Sequence, residues 1–284
     1  MGKYRKLLMA FDGSETSEHA LRESFKLAVN EGSWITVVSV VPPYSGDLDM
    51  VAVGNVISAM RKPCEDALLK VKEIASAEKV LVKTVCEEGE PYERIVDLSD
   101  AENCDLIIMG RRGLRRLARA LVGSVTARVI GYSRRDVLVV PKDAAVGWRK
   151  ILVATDGSKY SNAAVAKAMD FAKSYGGELM VISIVDVPSE FYAEAPKVVE
   201  DMARKAKSFV DNVRKKAGEF NIKVSTFTAE GEAYEVITRL AKDEKADVIF
   251  LGSHGRTGLK RLLMGSVAEK TIGHSPCPVL VVKG

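Results

Sequence analysis

A glycine-rich pattern that occurs twice in this chain of 284 residues limits its fold more than any other feature of the sequence. Both copies read G-x2-G-x9-G-S and stand 142 positions apart. Their residues are Gly110, Gly113, Gly123 and Ser124 in the first copy and Gly252, Gly255, Gly265 and Ser266 in the second. Each copy follows an apolar run typical of a strand and ends where a helical pattern begins. Such a loop directs several backbone N–H groups into one small space, which predicts an anion site in each copy.

The repetition extends over the whole chain. Ten residues between positions 88 and 107 recur 142 positions later. The segment Asp12-Gly13-Ser14 recurs as Asp156-Gly157-Ser158 at an offset of 144, and a surface loop after the second strand can absorb the change of two residues. The sequence is therefore a tandem duplication, and it predicts domains at residues 1–143 and 147–284 joined by a short linker.

Each half alternates apolar runs with helical patterns, an order that predicts a doubly wound parallel sheet. The predicted strands of the first half lie at residues 6–11, 34–41, 80–86, 106–109 and 137–140. Helices are predicted between them, the first with Ser14 or Ser17 as its N-cap, and an irregular segment at residues 44–60 precedes the second. The strand from Trp34 is a β-branched run that is continuous rather than alternating, which is typical of a strand covered on both faces. We therefore predict an α/β chain with two tandem, five-stranded, doubly wound parallel sheets.

Doubly wound sheets bind ligands beyond the carboxyl ends of their strands. Three kinds of group fall at that edge in each half: a carboxylate after the first strand, an apolar end of the second strand and the glycine loop after the fourth. They are Asp12, Val40 and the Gly110 loop in the first half and Asp156, Ile184 and the Gly252 loop in the second. A polar partner for a sugar, an apolar surface for a base and N–H donors for phosphate match the needs of a nucleotide.

Composition excludes several other classes of protein. The net charge of +4 comes from 42 basic and 38 acidic residues, so the overall charge does not imply a nucleic acid or a membrane as a partner. No run of roughly 18 apolar residues is present, and we expect a soluble cytoplasmic protein. The four cysteines form no CxxC pair, so we predict that they fill the core in a reducing compartment and form no disulfide framework.

These residues resemble the universal stress protein family in its tandem-domain form. The resemblance rests on the G-x2-G-x9-G-S pattern in both halves, on Asp-Gly-Ser after the first strand and on the closing Pro-Cys-Pro-Val-Leu-Val-Val at 276–282. It covers essentially the whole chain and implies a Rossmann-like fold of the adenine nucleotide α-hydrolase type. The last strands of family domains meet across a dimer axis, so the resemblance also implies an intramolecular pseudo-dimer of the two halves, and leaves further homo-oligomers open.

For the ATP-binding members of the family, the resemblance implies a role for each residue at the strand ends. Asp12 and Asp156 would lie near the adenosine, and Val40 and Ile184 against the adenine. The loop residues would surround the ribose and phosphates of ATP or AMP, with Mg²⁺ or Mn²⁺ on the phosphates; these residues are Gly110, Gly113, Gly123, Ser124, Gly252, Gly255, Gly265 and Ser266. Neither copy is a P-loop, since no lysine follows in the Walker arrangement.

The first half departs from the second at two places. Arg111 and Arg112 replace Ser253 and His254, and Arg134-Arg135-Asp136 replaces the Pro-Cys-Pro segment. Four arginines have the spacing of one helical stripe: Arg112, Arg115, Arg116 and Arg119. That stripe is either a solvated face, a phosphate clamp, a surface for an acidic partner or, least favoured, a contact for nucleic acid.

Three functions remain open from the sequence. The favoured one is a regulatory stress-response protein that binds an adenine nucleotide. The second is an enzyme, a slow ATPase or an autophosphorylating protein that uses a serine of the loop. The third is an interaction module that does not bind nucleotide. The sequence shows neither a Ser-His-Asp arrangement nor a metal-ligand pattern, so we assign no catalytic residue and no protein-bound metal.

Overall fold

The structure is a computed structural model, and it describes residues 2–43, 53–113, 122–188, 190–255 and 263–284, with residues 53–60 as backbone only. The chain divides into two compact units, Met1–Asp143 and Ala144–Gly284. We describe each unit by itself.

The first unit alternates strands and helices along the chain. Its elements are β1 Lys6–Ala10, α1 Glu15–Glu31, β2 Trp34–Val41, α2 Val53–Ala77, β3 Lys83–Glu88, α3 Pro91–Ala101, β4 Leu106–Gly110, α4 Ser124–Tyr132 and β5 Asp136–Val140. Within the described residues, the five strands form a parallel sheet in the order β3-β2-β1-β4-β5. The strand order reverses at β1: β2 and β3 lie on one side of it and β4 and β5 on the other, and Leu7 is in register with Ile35 and with Leu106.

The second unit repeats this architecture. Its elements are β6 Lys150–Ala154, α5 Lys159–Tyr175, β7 Glu178–Val185, α6 Glu190–Glu194, α7 Pro196–Glu219, β8 Val224–Glu230, α8 Ala233–Asp243, β9 Val248–Gly252, α9 Ser266–His274 and β10 Val279–Val282. Its parallel sheet has the order β8-β7-β6-β9-β10. The predicted fold class, tandem doubly wound parallel sheets of Rossmann-like type, is confirmed.

The central strands form the core of each unit. Side chains of β1, β4 and β5, such as Leu7, Ile107 and Leu138, are fully buried on both faces of the first sheet, and Phe250 is buried in the second. Continuous apolar strands become stable only when helices cover both faces, which explains the absence of alternation in their sequences. In the described part of the chain, no helix has both the length and the apolar character needed to span a membrane.

Local signals determine the ends of the first helix of each unit. The Ser14 hydroxyl accepts a hydrogen bond from the backbone N–H of Ser17 at 3.2 Å, and Ser158 does the same for Ser161 at 3.2 Å. Ser14 rather than Ser17 is therefore the N-cap. Gly32 ends α1 with φ 68°, a left-handed conformation that glycine adopts without strain.

Two elements differ from the sequence prediction. α2 begins at Val53, whereas we predicted an irregular segment up to residue 60, and Pro63 lies inside this helix. β3 begins at Lys83 rather than at residue 80. Gly54, Asn55 and Pro63 all disfavour a helix locally, but α2 packs against β2 and β3, and tertiary packing outweighs local propensity.

The prediction for the cysteines was wrong for two of the four. Cys64 of α2 and Cys86 of β3 form a disulfide, with their Cα atoms 6.3 Å apart. Sequence could not indicate this pair, because the two residues meet only when α2 packs against β3. Cys104 and Cys277 are free and buried, as expected for core-filling residues. Burial raises the pKa of each of these thiols to about 11, which keeps both protonated at neutral pH.

Candidate functional site

A cavity of about 380 Å³ opens in the second unit at the carboxyl ends of β6, β7 and β9. Its position matches the edge at which doubly wound sheets bind ligands. All six residues that the sequence predicts for the site of this half line the cavity: Asp156, Ile184, Gly252, Gly255, Gly265 and Ser266. The structure thus brings together residues that are up to 110 positions apart in the chain.

Gly265 places an open helix N-terminus at the cavity. It is the N-cap residue of α9, and as a glycine it has no side chain to cap the helix. Its own N–H donates to the carbonyl of Ser253 at 2.9 Å, which closes the loop. The N–H groups of the following first turn, from Ser266 onward, lack intrahelical acceptors and carry the positive end of the helix dipole. This end of the cavity can therefore bind an anion.

Gly255 and Asp156 face each other across the loop. A Cβ atom at Gly255 would lie 3.0 Å from Oδ2 of Asp156, closer than ordinary van der Waals contact. The other oxygen, Oδ1, accepts a hydrogen bond from the N–H of Ser158 at 2.9 Å and fixes the turn before α5. One oxygen of Asp156 therefore stabilises the turn while the other faces the loop.

Gly252 must be a glycine for a different reason, which is packing. A Cβ atom there would lie 2.6 Å from the backbone carbonyl carbon of Tyr160, so the glycine permits β9 to approach α5. The Tyr160 ring in turn packs beside the His254 ring, with centroids 5.3 Å apart. Nδ1 of His254 lies 3.2 Å from the Ser253 hydroxyl, and His254 lines the cavity.

The other part of the cavity is apolar. Its walls include Val185 of β7, Met202 and Ala206 of α7 and Ile237 of α8, beside the half-buried Ile184. Val185 belongs to the apolar strand end that we predicted for the site. We did not predict Met202, Ala206 and Ile237, because an apolar residue on an amphipathic helix normally indicates the core and its sequence contains no further signal. Asp186, which follows β7, was also missed; its Oδ2 accepts a hydrogen bond from the N–H of Ala233 at 3.1 Å.

The first unit arranges its predicted residues in the same way. Gly123 is the N-cap of α4 and donates to the carbonyl of Arg111 at 3.0 Å. Oδ1 of Asp12 accepts from the N–H of Ser14 at 3.0 Å, and a Cβ atom at Gly113 would overlap Oδ2 of the same carboxylate. A Cβ atom at Gly110 would lie 3.1 Å from the methyl group of Thr16 in α1. Around this loop, Ser124 is exposed at the start of α4, and the half-buried Val40 lies near the end of β2.

Arginine alters the first loop. Arg111 takes the position of the buried Ser253, and Arg112 that of His254. Burial lowers the pKa of the Arg111 guanidinium, and the neighbouring charge of Arg112 lowers it further. A partly desolvated cation at position 111 increases the positive potential of this loop. Of the predicted basic stripe only Arg112 is described; Arg115, Arg116 and Arg119 lie outside the described residues.

The other place where the first half departs from the second, Arg134-Arg135-Asp136 in place of Pro-Cys-Pro, keeps the same hydrogen bonds in its turn. Ser133, which precedes Arg134-Arg135-Asp136, donates to the carbonyl of Arg135 at 3.1 Å and accepts from its N–H at 2.8 Å. Ser275 makes the same pair of bonds with Cys277, at 2.6 and 3.2 Å. The serine therefore forms the turn in both units, and the prolines are not required for it.

Metal-binding side chains do not cluster in the part of the chain that the structure describes: it contains no group of three or more histidine, cysteine, aspartate or glutamate residues able to hold an ion.

Comparison with known proteins gives a consistent result. A model of the universal stress protein family matches residues 3–141 and 147–283. Universal stress protein MJ0531 of Methanocaldococcus jannaschii is 38% identical over 142 residues, 48% of this chain and 82% of that protein. Universal stress protein Rv2005c of Mycobacterium tuberculosis is 27% identical over 236 residues, 78% of this chain and 76% of that protein. The crystal structure of a universal stress protein from Archaeoglobus fulgidus matches with a TM-score of 0.76 at 25% identity, covering 99% of this chain and 97% of that one.

Proposed function

The chain belongs to the universal stress protein family, and from this premise we propose that it is a regulatory protein that binds an adenine nucleotide, ATP or AMP, in the second unit. The observation that carries the proposal is the cavity of about 380 Å³ in which all six predicted residues meet. Its volume lies within the range of small-molecule sites, roughly 300–1,000 Å³. Its two ends differ in chemistry in the way that the two ends of a nucleotide differ.

The phosphates would bind at the loop end. There the first turn of α9 presents N–H groups, and Gly265 has no side chain that would block the close approach of backbone to ligand. The Ser266 hydroxyl is exposed at the same place and can donate one further hydrogen bond. Because the described residues offer no acidic cluster, Mg²⁺ or Mn²⁺ would be held mainly by the phosphates and water, a mode that Mg²⁺ commonly adopts.

The adenosine would lie across the rest of the cavity. Oδ2 of Asp156 faces the loop, where a carboxylate can accept hydrogen bonds from ribose hydroxyls. The base would pack against Ile184, Val185 and Met202, whose apolar atoms suit a planar ring. The equivalent loop of the first unit supports a second site, and its arginines make that site more cationic.

The test is calorimetric titration of the full chain with ATP and Mg²⁺. Gly265→Val would place a branched side chain in front of the α9 N-terminus, and Asp156→Ala would remove the acceptor for the ribose. Each change should weaken binding at the second site at least about tenfold, or about 1.4 kcal/mol.

The matched control is Gly218→Val. Gly218 lies in α7 with no atom within 4 Å of its Cβ position, and it does not line the cavity. This variant should bind ATP like the wild type. ATP affinity that is equal in all four proteins would contradict the proposed site.

A further inference from the structure

The base end of the cavity contains a carboxylate that the proposed contacts do not use. Of the described residues that line the cavity, two are aspartates, Asp156 and Asp186. Asp156 faces the glycine loop, as described above. Asp186 follows the last residue of β7, Val185, and lines the cavity together with the apolar walls from α7 and α8.

Asp186 makes one hydrogen bond within the described part of the chain. Its Oδ2 accepts from the N–H of Ala233, the first residue of α8, at 3.1 Å. The described part of the chain provides no hydrogen bond to Oδ1. Lys270 and Tyr192 lie within electrostatic range of this carboxylate, but each is engaged elsewhere: Lys270 donates to Glu232 at 2.7 Å, and Tyr192 hydrogen-bonds Glu230. Asp186 is exposed to solvent, and its place directly after β7 sets it at the edge of the apolar pocket, where Oδ1 can accept a hydrogen bond.

The chemistry of a carboxylate limits what Oδ1 can recognise. An ionised carboxylate only accepts hydrogen bonds, so a base in this pocket must present a donor to it. Adenine presents its exocyclic amino group, whereas hypoxanthine has a keto oxygen at the same position. An oxygen opposite Oδ1 would leave two acceptors facing each other without a proton between them, which disfavours binding.

We propose that Asp186 reads the base: it accepts a hydrogen bond from the exocyclic amino group of adenine and makes the second unit selective for an amino purine over a keto purine. This inference rests on the proposed nucleotide binding. It adds a residue that determines specificity and a difference between the two units.

The first unit has no carboxylate at the position that corresponds to Asp186. Pro42 occupies the corresponding position, directly after β2, and a proline side chain accepts no hydrogen bond. The equivalence holds in space, since Gly89 donates to the carbonyl of Val41 at 3.0 Å as Gly231 does to Val185 at 3.1 Å. At the start of the following helix Pro91 corresponds to Ala233. Proline has no N–H that needs a cap, so in the first unit neither the cap nor the reader is present.

This difference between the two units suggests a way to distinguish a structural role of Asp186 from recognition of the base. If Asp186 served only to cap α8, Ala233→Pro would make it dispensable, and Pro91 shows that proline suits this helix position. If Asp186 reads the base, selectivity should persist in Ala233→Pro and depend on the residue at position 186.

The experiment compares ATP and inosine triphosphate by calorimetry on the full chain in a Gly123→Val background, which suppresses the first site. The parent should bind ATP at least about tenfold more tightly. Ala233→Pro should keep this ratio. Asp186→Asn adds an amide N–H that can donate to a keto oxygen, so the ratio should fall to about one or reverse, also when Ala233→Pro is present.

Three results would overturn the inference alone: equal affinity of the parent for the two triphosphates, an unchanged ratio in Asp186→Asn, or loss of the ratio in Ala233→Pro. If neither triphosphate binds to the wild type, nucleotide binding itself fails, and base reading fails with it.

Discussion

At the scale of single residues, the positions of one motif are glycines for different physical reasons. Gly252 permits β9 to approach Tyr160 of α5, whereas the nearest atom to a Cβ at Gly265 would be 3.5 Å away, an ordinary contact. The spacing of the motif predicted that both would line the site, and both do. Sequence could not distinguish packing from ligand space, because that distinction depends on which helix lies opposite each glycine.

These distances predict that alanine lowers the stability of the protein at Gly252 and hardly changes it at Gly265. Gly252→Ala should lower the free energy of unfolding by about 1–3 kcal/mol, since its methyl group would overlap the Tyr160 backbone. Gly265→Ala should leave it within about 1 kcal/mol, because its φ of −68° suits alanine and the added methyl group would make only ordinary contacts. Urea unfolding of the two variants measures the difference. Equal destabilisation by both substitutions would show that the glycines are equivalent packing residues.

The repeated sequence pattern identified Asp156 as a site residue but did not identify Asp186. Asp156 stands in a repeated Asp-Gly-Ser segment, and the repetition made it recognisable. Asp186 has Pro42 as its counterpart, so comparison of the halves pointed away from it. Its position at the cavity emerges only when the end of β7 and the start of α8 come together in three dimensions.

At the scale of elements, the helices that cover the two sheets differ in how they are attached to the strands. In the first unit α2 is bonded to β3 through Cys64 and Cys86, and Thr228 of β8 occupies the position of Cys86 in the second unit. Apolar periodicity was sufficient to predict most helices and strands. It was insufficient for α2, where packing against the sheet determines the start of the helix.

The disulfide should therefore stabilise the first unit alone. It closes a loop of 22 residues, and opening such a loop costs about 3 kcal/mol. Cys86→Thr, which installs the residue of the second unit, should lower the free energy of unfolding of the first unit by about that amount. Urea unfolding followed by peptide-level hydrogen exchange would assign the loss to α2 and β3.

A reductant provides the matched control. It should destabilise the wild type to the same extent and leave Cys86→Thr unchanged, because Cys104 and Cys277 are already free. Thiol titration of the unreduced, denatured wild type should detect these two cysteines; detection of all four would exclude the bond.

At the scale of the whole molecule, duplication made the fold predictable. Each motif occurs twice at nearly constant offset, so every strand and glycine loop had an internal confirmation within one sequence. The expected association of the last strands, at residues 137–140 and 279–282, stays a prediction. The differences between halves are informative in the same way: where the copies diverge, as at Arg111 and at Pro42, we expect divergent binding.

The last prediction concerns the two sites within one chain. Arg111 and Arg112 place two cationic side chains at the loop where phosphates would bind in the first unit, and the second unit has Ser253 and His254 there. Attraction between a polyphosphate and these arginines is screened by salt over about 8 Å at physiological ionic strength. At low salt the first site should therefore bind ATP more tightly than the second site does. Its affinity should also fall more steeply as the salt concentration rises.

Full-length Gly265→Val and Gly123→Val isolate the first and the second site, respectively. A Cβ atom at Gly123 would be 3.5 Å from its nearest neighbour, so this variant should fold like its counterpart. Between 50 and 500 mM salt, we expect ATP affinity at the first site to fall by a factor at least roughly three times greater than at the second. Replacing Arg111 and Arg112 by Ser and His in the Gly265→Val protein should remove that excess, since it restores the loop chemistry of the second unit. Parallel salt responses before the replacement would mean that the arginines do not contact the phosphates.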